Sequence, residues 1–289
     1  MRYPSMSALT LAALAVLAPT QETVADTAPI IFSAAGVNAA AIVPTVDAFK
    51  SALGPLNPNV AGSFGTGRRE INWDGVPDTF AAPNQLPANF FNANSPRGVV
   101  LSTPGTGFQV SANANNASGT PVQFGNIDPA YPSVFEPFSS QKLFTTLGSN
   151  VVDVKFFVPG STNVALSNGF GVVFSDVDIP DATSLIFFGK NNELLGTFSV
   201  PAIPGNETFS FLGVLFDSPL VSMVRILSGN ASLGPGKFDP DIVVMDDFIY
   251  GEPVAVVPLP GGLALFATGL GVLGLLGWGR KKKAAGLAV

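Results

Sequence analysis

Asp246 and Asp247 stand side by side in the apolar run Ile242 to Tyr250 (IVVMDDFIY). Adjacent side chains of a strand point to opposite faces, so only one of the two is expected to look inward. A carboxylate buried there needs a partner, either backbone N–H groups or a cation. Oxygen donors that suit a hard cation lie far back in the chain, where INWDGVPD supplies Asn72, Asp74 and Asp78. Two more acidic groups, Asp176, Asp178 and Asp181 in SDVDIPD and the pair Asp239 and Asp241 around Pro240, read as polar loops, with a metal as the other reading. Paired carboxylates also serve glycosidases, one as acid and one as base or nucleophile, yet the spacing of Glu70, Glu136, Glu193 and Glu207 singles out no pair. Trp73 and Tyr131 with Asn113, Asn115 and Asn116 would suit a sugar platform, in which a ring stacks beside hydrogen-bonding amides. The competing reading puts Trp73 in the core and the asparagines in turns.

Other chemistries are excluded by composition. The 289 residues include neither Cys nor His. That removes disulfides, Cys/His zinc sites, Ser-His-Asp and Cys-His nucleophiles and any histidine base. Catalysis would have to rest on carboxylates, Lys, Tyr or hydroxyls.

The elements that must position these groups are strands. Segments 98–102, 107–112, 151–158, 169–175, 184–188, 194–200, 208–212, 223–227 and 242–250 are short, rich in β-branched and aromatic residues, and bounded by Gly, Pro, Asn and Asp. Asn191-Asn192 suits a hairpin turn. One helix is expected over Thr45 to Ala52, with Thr45 as N-cap and Gly54-Pro55 as the stop. Residues 30–252 are therefore expected to form an all-β sandwich, with most of the 24 Phe in its core and 81–96, carrying Phe90-Phe91, as a covering loop.

The overall 47% hydrophobic and 12% charged residues average over unlike pieces. Residues 26–256 hold 9 basic and 19 acidic side chains, a net charge of −10, which argues against nucleic acid as a partner. At the N-terminus Arg2 precedes 12 apolar residues, Met6 to Leu17, too short to span a bilayer and right for a signal peptide over 1–25, with cleavage after Ala25 or, as the alternative, near Ala18. At the other end Gly261 to Gly279 is 19 residues without a charge, about 28 Å as a helix and enough to cross the membrane. Arg280, Lys281, Lys282 and Lys283 follow, and such a cluster stays cytoplasmic, placing the body outside the membrane.

Val257, Pro258, Leu259 and Pro260, then this apolar segment, then the basic cluster, resemble the PEP-CTERM sorting signal of Gram-negative bacteria, in its Val-Pro-Leu-Pro-Ala variant, over about the last 30 residues. Gly261 stands where the variant has Ala, and Leu259 where the commonest form has Glu. The resemblance implies a substrate of exosortase, a membrane Cys protease or transpeptidase that removes the helix and passes the protein to the cell surface or an exopolysaccharide matrix. An anchor that is never processed is the alternative. The prolines keep 257–260 extended and accessible to such an enzyme.

The body resembles the lectin-like jelly rolls found ahead of such signals. The resemblance rests on Gly169 to Val177, Phe187-Phe188-Gly189 with Leu195-Gly196-Thr197, Phe209 to Val214, and Asp246-Asp247-Phe248 before Gly251. In such folds a carboxylate of the last strand often holds Ca2+ with oxygens from an early loop, which makes Asp247, Asp74 and Asn72 the implied calcium set. The expectation is an exported, non-catalytic surface or matrix protein with an adhesive or structural role. Its rivals are a Ca2+-dependent carbohydrate-binding module and a carboxylate glycosidase.

Overall fold

Val152, Val154 and Phe156 are sealed from solvent while Val151, Asp153 and Lys155 between them are not, the period of two that a strand shows when one face is buried. The same alternation, or continuous burial, recurs along most of the chain. The computed structural model describes residues 28–236 and 240–256. In order these form β1 (Ile30–Gly36), α1 (Ala39–Leu53), β2 (Arg68–Ile71), the short α2 (Phe90–Ala93), β3 (Val99–Ser102), β4 (Gly107–Val110), β5 (Phe144–Leu147), β6 (Val151–Phe156) and β7 (Ala165–Leu166). There follow β8 (Gly169–Ser175), β9 (Ser184–Phe188), β10 (Leu194–Ser199), β11 (Phe209–Leu215), β12 (Met223–Leu227), β13 (Val244–Gly251) and β14 (Val254–Ala255).

The strands build an antiparallel sandwich. The larger sheet runs β1-β11-β8-β13-β5-β4, with β2 alongside the later part of β13, and the smaller runs β10-β9-β12-β6-β3. Phe170, Val172, Phe174 and Phe248 of the larger sheet share one core with Val154, Phe187, Val224 and Ile226 of the smaller. All nine expected strands are present, shifted by a few residues at their ends, and Asn192 takes the left-handed turn between β9 and β10 at φ 63°.

The helix is longer than expected. Asn38, not Thr45, is its N-cap, its Oδ1 accepting from Ala41 N at 3.2 Å, and Pro44 lies inside the helix. Pro44 removes one backbone bond. The helix persists because Ile42, Val46, Phe49 and Leu53, at spacings of three and four, are buried against Val173, Phe209, Phe211 and Ile249. Gly171 of β8 and Gly213 of β11 are paired beneath the Phe49 ring, and a Cβ on either would come within 2.9 Å of it. These two glycines make the dent into which α1 docks.

β1, β2 and β5, like the two-residue β7 and β14, carried no strand expectation. Their sequences (IIFSAAG, RREI and FTTL) lack a clean alternation, and pairing with long neighbours decides their state. The segment expected as a covering loop carries α2, and Phe90 and Phe91 are buried.

Strict alternation fails at the acidic pair. β13 pairs Met245 with Phe174 and Phe248 with Val172, so Asp246 and Asp247 together face one residue of β8 in a bulge. Contrary to expectation both carboxylates are buried, because the bulge re-aims the pair and α1 covers the outer face of the sheet.

Candidate functional site

Beyond the end of β8 the chain turns sharply. Asp176 adopts φ 70°, held by its N–H on the Thr208 carbonyl at 3.1 Å. Its side chain is only 6% exposed, and Oδ1 is sealed from solvent without a hydrogen-bond partner. Asp241 reaches the same turn from residues 65 positions later in the chain, and accepts from Asp178 N at 3.0 Å and Ile179 N at 3.4 Å. Asp178 in turn accepts from Gly205 N at 2.8 Å through Oδ1. Burial, then the charges of Asp178 and Asp241, push the Asp176 carboxyl up to about 8. Burial raises Asp241 as well, against the lowering effect of its two N–H donors.

These groups border a cavity of about 300 Å3 whose walls include Tyr131, Val134, Phe135, Asp176, Asp178 and Asn206. Tyr131 is fixed by its hydroxyl, which donates to Gly234 O at 2.7 Å and accepts from Gly234 N at 3.1 Å. Asn206 donates through Nδ2 to Ser133 O at 3.2 Å, which leaves its carbonyl oxygen as an acceptor. Among the described residues none that lines the cavity is basic.

No family model matches the chain, and no curated protein matches it. Among solved structures it is similar to two variants of the family 29 carbohydrate binding module CBM29-2, at 10% and 11% identity, covering 38% of this chain and 69% and 68% of theirs, each with a TM-score of 0.22. It is also similar to the enzymatically active domain of bacteriophage CBA120 tailspike protein 4, at 10% identity and a TM-score of 0.23, over 58% of this chain and 20% of that one. Likenesses this distant carry no functional argument.

The residues of the implied calcium set have separate surroundings. Asp247 lies 3.9 Å from Lys50 Nζ on α1, and its Oδ1 has no hydrogen-bond partner. Asp74 accepts from Lys142 N at 3.1 Å, and exposed Asp78 lies 3.5 Å from Lys142 Nζ, so the cation beside that loop is an ammonium. Asn72 is exposed, and its carbonyl accepts from Ser139 Oγ at 3.4 Å. The neighbour of Asp247, not Asp247 itself, collects donors: Asp246 accepts from Phe138 N at 2.6 Å, Ser139 N at 3.2 Å and Ser139 Oγ at 3.0 Å. Burial and the adjacent Asp247 charge still hold the Asp246 carboxyl well above the usual range. Among the described residues no three Asp or Glu gather as a ready metal cluster.

The sugar-platform residues are otherwise engaged. Trp73 and Tyr131 are buried, Asn113 accepts from Asn115 N and donates to Asp78 Oδ1 at 3.0 Å, and Asn116 accepts from Thr120 N. Glu70 pairs with Lys50 at 3.1 Å and Arg68 at 2.6 Å, while Glu193 closes the hairpin by accepting from Asn191 N at 2.7 Å. No helix of the described residues is long and apolar enough to cross a membrane. The expected signal peptide over 1–25, the expected sorting motif 257–260, the segment 261–279 and the basic residues 280–283 lie outside the described residues.

Asp241 was legible only as half of a loop pair with Asp239. What brings it to Asp176 is the pairing of β8 with β13, where Val244 stands opposite Ser175.

Proposed function

We propose that this is an exported bacterial protein, sorted by a PEP-CTERM-type signal, whose lectin-like jelly-roll body works by binding at the cell surface or in an exopolysaccharide matrix and carries no catalytic role. The observation that carries it is the order of parts at the C-terminus. The last strand, β14, ends at Ala255, and Val257 to Pro260, 19 uncharged residues and Arg280 to Lys283 follow at once. From Ala255 to Gly261 the chain spans at most about 20 Å when extended, so the body rides close to the inner membrane until the motif is cut. At the other end β1 begins at Ile30, four residues after Asp26, the expected first residue of the mature chain. A binding role is supported by how the buried carboxylates are engaged. Glu252 is paired with Arg69, and Asp246 and Asp241 accept backbone N–H groups, the engagement of structural acceptors.

The test is the mass and location of the mature protein from cells with and without exosortase, for the wild type and for Pro258→Ala/Pro260→Ala. Sorting predicts a shortened, released product only when both enzyme and prolines are present. A full-length membrane-anchored product in every strain overturns it. A carbohydrate-binding module is the second reading, favoured by the cavity walled by Tyr131, Asp178 and Asn206. Retention of the protein on immobilised exopolysaccharide, lost in Asn206→Ala, would support it.

A further inference from the structure

The geometry points to a divalent-cation site of the Ca2+ class at Asp176 and Asp178 on the wall of the acidic cavity, with Asp241 as the positioning residue that fixes their turn. It rests on neither the sorting reading nor the sugar-binding one.

Three observations converge on it. Asp176 is 94% buried, and its Oδ1 has no donor at all. A buried carboxylate oxygen left without a donor costs free energy that the other acidic groups of the body largely avoid. Glu252 has Arg69, Asp153 has Arg225, Asp78 has Lys142, and Asp247 has Lys50 nearby, while Asp246 and Asp128 have backbone N–H donors. Second, among the described residues no basic side chain lines the cavity wall that Asp176 shares with Asp178. Third, Asp241 spends both oxygens on the backbone N–H groups of Asp178 and Ile179. Those two bonds hold the turn that carries Asp176 and Asp178, and so Asp241 is the clamp.

The donor set selects the ion. Carboxylate, carboxamide and water oxygens with no nitrogen or sulfur suit Ca2+, which takes six to eight oxygens at about 2.3–2.6 Å in flexible geometry. Asp178 keeps Oδ2, and Asn206 keeps its carbonyl oxygen, after their structural bonds are made. The cavity of about 300 Å3 leaves room for waters to complete the shell. Two carboxylates rather than three or four place the affinity in the range of extracellular modules, about 10⁻⁴–10⁻³ M. The high Asp176 carboxyl agrees with this, since a cation would replace the proton that repulsion and burial now favour.

The experiment uses the full chain purified in detergent and stripped with chelator. Thermal unfolding is followed at neutral pH against Ca2+ up to about 10 mM, and Tb3+ luminescence is excited through tyrosine, since Tyr131 lines the same cavity. The wild type should gain several degrees in Tm, saturating near millimolar Ca2+, and should sensitise Tb3+ in competition with Ca2+. Asp176→Asn should unfold no earlier than the wild type in chelator, because a neutral amide replaces a buried carboxyl whose ionisation is unfavourable there, and should lose both responses. Asp241→Asn should weaken both at least severalfold. A wild-type Tm that does not move with Ca2+, or an Asp176→Asn response equal to that of the wild type, overturns the site.

Discussion

The indole of Trp73 lies flat on the ring of Phe144, centroids 4.1 Å apart and planes within 3°, while its Nε1 donates to Asp246 O at 2.8 Å. Phe91 and Phe248 meet the same indole edge-on at 5.3 Å and 5.0 Å. The residue that the sequence offered as a sugar platform is the pin joining β13, β5 and α2. Trp73→Ala should cost about 3–5 kcal/mol in urea unfolding, as truncation of a fully buried aromatic does. Trp73→Phe should cost less while leaving the Asp246 carbonyl without its side-chain donor, and an Ala variant as stable as the wild type would remove the indole from the core.

Arg69 and Glu252 form the most enclosed ion pair of the body, at 2.8 Å and 2.9 Å with both side chains essentially unexposed. The guanidinium also donates to Pro58 O, Val60 O, Gly62 O and Pro96 O, so one side chain closes the loops around β2. Glu252→Gln leaves a buried cation half-paired and should cost about 3–5 kcal/mol, whereas Arg69→Met/Glu252→Leu should cost less than the two single changes added. A double-mutant cycle by denaturant unfolding measures the difference.

Truncating Asp246 and neutralising Asp247 should have opposite effects. Asp246→Ala strands three donors, from Phe138 and Ser139, and should destabilise by about 1–3 kcal/mol. Asp247→Asn removes a buried carboxylate whose charge burial disfavours and which repels charge on Asp246, at the cost of a 3.9 Å contact with Lys50, and should be neutral or stabilising above neutral pH. Urea midpoints at neutral and alkaline pH separate the two.

Asp176 should give the folded state a pH slope. Its carboxyl titrates near 8 in the folded chain against 3.8 for a free one, so between those values the native state binds more protons than the unfolded state. Stability contributed by this group therefore falls as pH rises from about 4 to about 8. In chelator, the wild type minus Asp176→Asn difference should follow that fall, with the variant ahead by at least about 1 kcal/mol, or roughly 2–4 °C, at the alkaline end. A flat difference across that range would show that the carboxyl is not perturbed.

Much of the sandwich was legible because its signals are local. A period of two along Val151 to Phe156, an Asn-Asn turn, and Gly and Pro at the boundaries are properties of consecutive residues. The helix was legible only in its second half. Pro44 reads as a breaker, and what overrides it is the seating of Phe49 over Gly171 and Gly213, which no local window contains.

The site divides the same way. The sequence by itself determined where the acidic groups lie, that no Cys or His joins them, and that the apolar excess belongs partly to the two ends of the chain. Only the tertiary structure decided which carboxylates meet. A bulge of one residue in β13 defeated the alternation that should have turned Asp246 and Asp247 apart, and the register of β13 on β8 carried Asp241 to the Asp176 turn. Strand register is set by long-range pairing against a buried face, and so the partners of a buried charge emerge only when the two sheets close.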